Sequence, residues 1–241
     1  MNISYFTSMD RKYYNHCGKA MLQSFSVHQP KHQMHLYNEG GFIPGIERIT
    51  PMGWDLGIEY NRFIKRHRNK RVVTFAKKAF SVIHAMNNLN ADRIVWLDAD
   101  GVLTMHIHPQ LIQLMCPEDT LSAHFKVRHV KDDKTYVSCE TGFFILNKNH
   151  PGFNEFKETY TKIYVNDEAQ NLRRFYDGEV YGETVQRLER RGAKMNDLNP
   201  GGHKTPISRS VLKPYFQHLK AGLKDKYDND SLQERFLDNE V

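Results

Sequence analysis

The run Arg93–Leu103, R-I-V-W-L-D-A-D-G-V-L, constrains this chain more than any other stretch. Ile94, Val95, Trp96 and Leu97 are continuously apolar and rich in β-branched and aromatic side chains, which is how a strand buried on both faces of a sheet reads. Asp98 and Asp100 follow at once, and Gly101 lets the backbone turn sharply. Ligands of open α/β sheets sit beyond the carboxyl ends of the strands, so chemistry is expected here. Carboxylates at i and i+2 on a strand end can aim at one point. Two adjacent anions call for a cation, and oxygen ligands suit Mg²⁺ and Mn²⁺. A merely solvated Asp-rich turn fits poorly after so apolar a strand.

The flanking sequence supplies the rest of a sheet. Ile3–Thr7 has strand composition, and Tyr14, Cys17, Met21, Leu22 and Phe25 then recur at helical spacing. Met34–Tyr37 reads as a second strand, ended by Asn38 and the Gly40-Gly41 pair. Phe75, Ala79, Val82, Ile83, Met86 and Leu89 draw an amphipathic helix leading into the central strand. Strand, helix, strand, helix, strand over the first hundred residues predicts an α/β fold with a mostly parallel sheet and crossover helices. Beyond the carboxylates, Pro109–Met115 reads as a short helix, Leu121–Phe125 and Phe143–Leu146 as strands, Phe153–Tyr164 and Val180–Arg190 as helices, and Met195–Leu198 as a last strand. Residues 42–70, with Pro44, Pro51, Gly53 and Gly57, read as a surface excursion carrying short helices. No repeat or linker divides the chain, which predicts one domain over 1–224 and a charged tail over 225–241.

Composition narrows the setting. A net charge of +6 and a pI of about 9.1 favour an anionic partner. Cys17, Cys116 and Cys139 form no C-x-x-C pair, which argues against a disulfide scaffold or zinc knuckle. No window approaches the ~20 apolar residues of a membrane span, and the amino terminus lacks a signal peptide's apolar core. A cytoplasmic, soluble protein is expected, meeting any membrane surface only peripherally.

Taken together, these motifs resemble GT-A glycosyltransferases, a single-domain Rossmann-like fold, and most of all the glycogenin-like and galactosyltransferase-like retaining groups. Asp98-Ala99-Asp100 looks like their D-x-D motif. Thr7, Tyr13 and Tyr14 resemble the first-strand region that holds the nucleotide base, and Lys77 or Lys78 the cation placed near the donor. Glu140-Thr141-Gly142-Phe143-Phe144-Ile145-Leu146-Asn147 is similar to the strand lining the sugar and acceptor site. Asp177 lies where related enzymes carry an acidic segment ahead of a helix. His218-Leu219-Lys220-Ala221-Gly222-Leu223-Lys224 looks like H-x-x-G-x-x-K with one extra residue, and the Pro-Trp that often follows is missing. The resemblance implies Mn²⁺ or Mg²⁺ on Asp98, Asp100 and His218, and a UDP-sugar donor contacted by Thr7, Tyr13, Tyr14, Lys78, Asp98, Ala99, Asp100 and Lys224. It further implies catalytic roles for Asp177 and Glu140 and transfer of a hexose with retention. A surface glycan is the expected acceptor, with a modified DNA base as the alternative that the basic pI motivates.

Other readings use the same residues. Asp98-Ala99-Asp100-Gly101-Val102-Leu103 also matches the nucleophile motif of haloacid-dehalogenase-like phosphatases, with Asp98 attacking phosphate. That motif belongs on a first strand, whereas some ninety residues precede it here, and the acidic pair Asp132-Asp133 comes too early. A nucleotidyltransferase would show a Gly-rich basic loop after the first strand, which is missing, and a nucleic-acid-binding module has no recognition motif to support it. His106-x-His108 reads as incidental, Trp96 as core, Trp54 as a loop anchor, and Cys139 as a buried small residue.

Overall fold

The computed structural model describes residues 1–131 and 134–219. Strand β1 (Ile3–Asp10) leads into a single turn α1 (Arg11–Tyr13), a π-helical turn (Tyr14–Gly18) and helix α2 (Lys19–His28). Strands β2 (Met34–Glu39) and β3 (Ile49–Met52), helices α3 (Ile58–Arg66) and α4 (Lys70–Asn88), and the central strand β4 (Arg93–Leu97) follow. After β5 (Gly101–Leu103) and α5 (Pro109–Met115) come β6 (Ser122–Lys131) and β7 (Lys134–Asn147), then α6 (Phe153–Val165) and α7 (Asp177–Glu189). Strands β8 (Met195–Asp197) and β9 (Phe216–His218) complete the described chain.

Seven strands form one sheet in the order β3-β2-β1-β4-β7-β6-β8. Parallel pairings join β1 to β2 and β4, β2 to β3, and β6 to β8, whereas β7 runs antiparallel to both β4 and β6. Every residue of β4 is buried. Its alternate side chains divide between two cores: Ile94 and Trp96 face the layer with α4, α6 and α7, while Val95 and Leu97 face the layer with α2 and α5. That two-sided burial is why β4 reads as an unbroken apolar run. Helix α4 starts where the Asn69 side chain accepts from the Arg71 and Val72 amides. It buries Ala76, Ala79, Phe80, Val82, Ile83 and Met86 against the sheet, which leaves Lys77 and Lys78 on the flank beside the strand ends.

The structure differs from the sequence expectation in three places. Residues 42–70 hold an edge strand, β3, as well as helix α3. Pro51 in β3 pairs with Leu36 at the sheet margin, where a missing amide donor is tolerated. β6 and β7 run past the expected Leu121–Phe125 and Phe143–Leu146 into a long antiparallel hairpin. Finally, β5 and β9 make a separate two-stranded sheet. The tail over 225–241 lies outside the described residues.

Candidate functional site

Where β4 ends, the Asp98 amide donates to the Gly142 carbonyl (2.9 Å) and Gly101 donates back to the Asp98 carbonyl (2.9 Å). The turn throws both carboxylates to the carboxyl edge of the sheet. The small sheet then brings in a residue from far along the chain, because Gly101 pairs with His218 and Leu103 with Phe216. Gly101 has to be glycine: a methyl group there would sit 2.1 Å from the Phe216 ring. Gly142 clears the other side, where a methyl would lie 2.7 Å from His218 Nδ1.

His218 Nε2 stands 2.9 Å from Asp100 Oδ1 and 3.7 Å from Asp98 Oδ2, and its Nδ1 is 3.5 Å from Glu140 Oε1. One ligand atom each from Asp98, Asp100 and His218 falls within 4.8 Å of the others. Burial lowers the pKa of the His218 imidazole, but Asp100, Asp98 and Glu140 outweigh it and the net shift is upward. Burial also raises the Asp98 pKa, an effect that Lys78 opposes and Asp100 reinforces. Three carboxylates around one imidazole therefore favour a positive charge in their midst. Two hard oxygens plus one nitrogen fit a divalent ion such as Mn²⁺, with Glu140 placed to orient the histidine from behind.

The other oxygen of Asp98 is committed elsewhere. Oδ1 accepts from Lys78 Nζ (2.8 Å) and from the Trp96 indole N–H (3.1 Å). Lys78 also reaches Asp177 Oδ2 (2.8 Å) and the Thr141 carbonyl (2.8 Å), while the Thr141 hydroxyl donates to Asp177 (2.6 Å). Burial disfavours the Lys78 ammonium, yet Asp177 and Asp98 more than offset it and raise its pKa. Asp177 shows the mirror case: burial pushes it up, but Lys78, Thr141 and the Gly178 amide hold it below the usual carboxylate range. Helix α7 can deliver Asp177 because Gly178 and Gly182 let it lie directly on β7, where a methyl at Gly178 would meet the Cys139 carbonyl at 2.3 Å.

Lys78, Asp98, Thr141 and Asp177 line a cavity of about 550 Å³, whose wall also includes Ser8, Met9, Asp10, His129 and Lys204. The structure brings Tyr13, Lys78, Asp98, Ala99, Glu140 and Asp177 to its wall, and burial first, then Asp100, raises the pKa of the Tyr13 phenol. Lys77 lines it too, paired with Glu39. Thr7 is wholly buried within β1, beneath its lining neighbours. Tyr14 turns away, packing on Phe42 and donating to the Pro44 carbonyl. Lys224 lies outside the described residues, as do Asp132 and Asp133.

Three contributors were not legible as site residues: the Trp96 N–H, Glu39 and His129. Trp96 is core, as its neighbours implied, but its edge serves Asp98. Thr141 stood within the E-T-G-F run, where a small polar residue ahead of an apolar strand was the available signal. Trp54 borders the cavity and packs edge-on against Tyr60. Cys139 is buried, with its thiol pKa pushed well up by that burial. His106 and His108 meet edge-on with ring centroids 4.4 Å apart, and His106 Nδ1 lies on the His28 carbonyl.

No family model and no curated protein sequence matches the chain. Solved structures do. The galactosyltransferase LgtC, solved with donor and acceptor sugar analogues, is similar at a TM-score of 0.56 with 12% identity, over 99% of this chain and 96% of that one. A glycosyltransferase involved in glycosylating the major capsid of PBCV-1 is similar at 0.52 and 13%, over 95% and 100%. The bifunctional WbbM matches at 0.50 and 12%, over 76% of this chain, which spans 37% of that one. The chain therefore has the GT-A glycosyltransferase fold. No helix among the described residues is long and apolar enough to cross a membrane.

Proposed function

We propose that the protein is a metal-dependent glycosyltransferase that moves a hexose from UDP-sugar to an acceptor hydroxyl, with retention of configuration. The observation that carries this reading is the convergence of Asp98, Asp100 and His218 at the end of β4, beside a cavity able to take a nucleotide sugar. When bound there, a divalent ion supplies Lewis-acid neutralisation of the departing diphosphate. The remaining work falls to the chain's own groups. Ser8, Asp10 and Tyr13 bound the end of the cavity that suits the nucleoside. Lys78 fixes Asp98 and Asp177 in one geometry and places a positive charge beside the sugar, where preorganised electrostatics act most strongly. Asp177, held as the carboxylate, accepts hydrogen bonds from sugar hydroxyls. Glu140, between His218 and the cavity, faces the reacting carbon and is our second catalytic assignment. Lys224 is assigned to the pyrophosphate by its place in the sequence motif.

The test is calorimetric titration of UDP with and without Mn²⁺, on wild type and Asp100→Ala. Mn²⁺-dependent binding that disappears in the variant is expected, with turnover lower by roughly 10²-fold, the scale of losing one electrostatic stabiliser. Metal-independent binding, or normal turnover in Asp100→Ala, would overturn the assignment.

A further inference from the structure

The chain's surplus of positive charge has a single source. It holds 34 Lys and Arg against 28 Asp and Glu, and six of those cations fall within ten residues: Arg62, Lys65, Arg66, Arg68, Lys70 and Arg71. Outside that run the two signs match one for one. No Asp or Glu occurs from Tyr60 to Ala91, so nothing nearby in sequence offsets the run. It spans the end of α3, the link 67–69 and the first turn of α4, and all six residues are exposed.

The elbow that carries these charges is firmly seated. Phe63 is fully buried beneath it, ring to ring with His67 at 4.2 Å and Phe80 at 5.7 Å. Asp167 meets His67 Nε2 (2.7 Å) and Arg66 Nε (3.3 Å), and Glu59 meets Arg62 (2.7 Å). Those two carboxylates are taken up in holding the elbow. Lys65, Arg68, Lys70 and Arg71 have no ion-pair partner among the described residues. Like charges gathered this closely repel one another, and an anionic surface relieves the repulsion. On α3, Ile58, Arg62 and Lys65 recur at i, i+4 and i+7, which sets an exposed isoleucine on the cationic face. The patch also abuts the cavity. The Arg71 guanidinium lies over the Phe75 ring at 5.8 Å, Phe75 meets Tyr176 at 6.0 Å, and both rings line the cavity.

We propose that the α3–α4 elbow is a docking surface for an anionic lipid bilayer. Lys65, Arg68, Lys70 and Arg71 meet the headgroup phosphates, and Ile58 enters the interface beside them. Four unpaired cations on one rigid corner are what such a surface recognises, each strengthening binding about five-fold. A bilayer interface takes cations and an apolar side chain together, whereas a nucleic-acid phosphate backbone offers the isoleucine nothing. The lipid contact stands on these charges alone. Its consequence rests on the glycosyltransferase reading above: the docked enzyme holds its cavity next to the surface that carries the acceptor.

The experiment is co-sedimentation with vesicles of phosphatidylcholine alone and of phosphatidylcholine with one-third phosphatidylglycerol. Wild type should bind the anionic vesicles roughly 100-fold more tightly than the neutral ones, and Lys65→Ala/Arg68→Ala/Lys70→Ala should lose most of that preference. High salt should weaken it in parallel. Lys31→Ala/Arg190→Ala/Lys194→Ala removes the same charge outside the elbow and should keep the preference. Equal binding to both vesicles overturns the proposal. So does an equal loss in the second variant, because it shows attraction by net charge alone. Oligothymidylate that binds more tightly than the anionic vesicles, and loses affinity in the elbow variant, overturns it in favour of a nucleic-acid surface. UDP titration on the same samples shows that each variant is folded and keeps the two readings apart. Intact UDP binding without vesicle preference removes only the docking surface, whereas vesicle preference without UDP binding removes the donor assignment and leaves the lipid contact standing.

Discussion

The cavity's wall carries charge in two opposite ways. At the β4 end Lys78, Asp98 and Asp177 are largely buried, and each charge touches at least one of opposite sign. Lys204, on the same cavity's wall, stands in solvent. Charges deep in a low-dielectric site survive only when they are paired and hydrogen-bonded, so their geometry is fixed in advance. Exposed cations are cheap to maintain and screened by salt, which suits recognition rather than positioning. The buried cluster holds a fixed geometry, whereas the exposed lysine is free to move.

Mutation can test that contrast directly. Lys78→Met leaves two buried carboxylates without their cation and should lower the unfolding free energy by roughly 3 kcal/mol, the low end for breaking a buried pair. Lys204→Met should change it by less than about 0.5 kcal/mol, as for most surface sites. Urea unfolding of both variants checks this, and equal losses would erase the distinction between buried and exposed charge.

His124 sharpens it by showing a buried titratable group with no carboxylate. It is fully buried, with Nδ1 3.2 Å from the Ser122 hydroxyl, and burial followed by Lys126 brings its pKa down to about 3. The unfolded chain binds this proton near pH 6.5 while the folded one refuses it. Its contribution is thus intact above pH 6.5 and erodes as pH falls towards 3, amounting to about 2 kcal/mol by pH 5. Stability measured between pH 7 and 5 should fall less steeply in His124→Leu.

The smallest effect belongs to Gly142→Ala. Its methyl would lie 2.7 Å from His218 Nδ1 and 3.0 Å from Ile207, so the imidazole must shift. Mn²⁺ affinity should drop about ten-fold, the scale of disturbing the support of a metal ligand, with stability changing far less. Unchanged Mn²⁺ affinity in this variant would argue that His218 does not contact the ion.

How far the sequence carried the reading follows from how local each signal was. β4, α4 and α5 declared themselves because periodicity, caps and burial all fall within one window. β3 did not, since Pro51 and Thr50 give an edge strand no apolar run. The outer half of the β6–β7 hairpin is polar and continues past the packed sheet, so alternation there is weak. The carboxylate pair was visible as chemistry, but the knot that holds it was not. Trp96, Lys78, Thr141 and Asp177 come from four separate elements, and no pattern within one strand reports which of them touch. His218 could be singled out only through the resemblance, because three residues of β9 carry no periodicity of their own.

The short pairing of β5 with β9 has a consequence for how the protein is made. Asp100 and His218 are separated by 118 positions, so the acidic half of the candidate cluster is synthesised long before the imidazole half. During synthesis the early strands can settle as their residues emerge, and the slow, non-local closure of the two-stranded sheet comes last. A nascent chain that stops short of Phe216 presents a sheet edge with carboxylates and no histidine. On the metal assignment proposed above, competence to hold a cation would report that the chain has been made through residue 218.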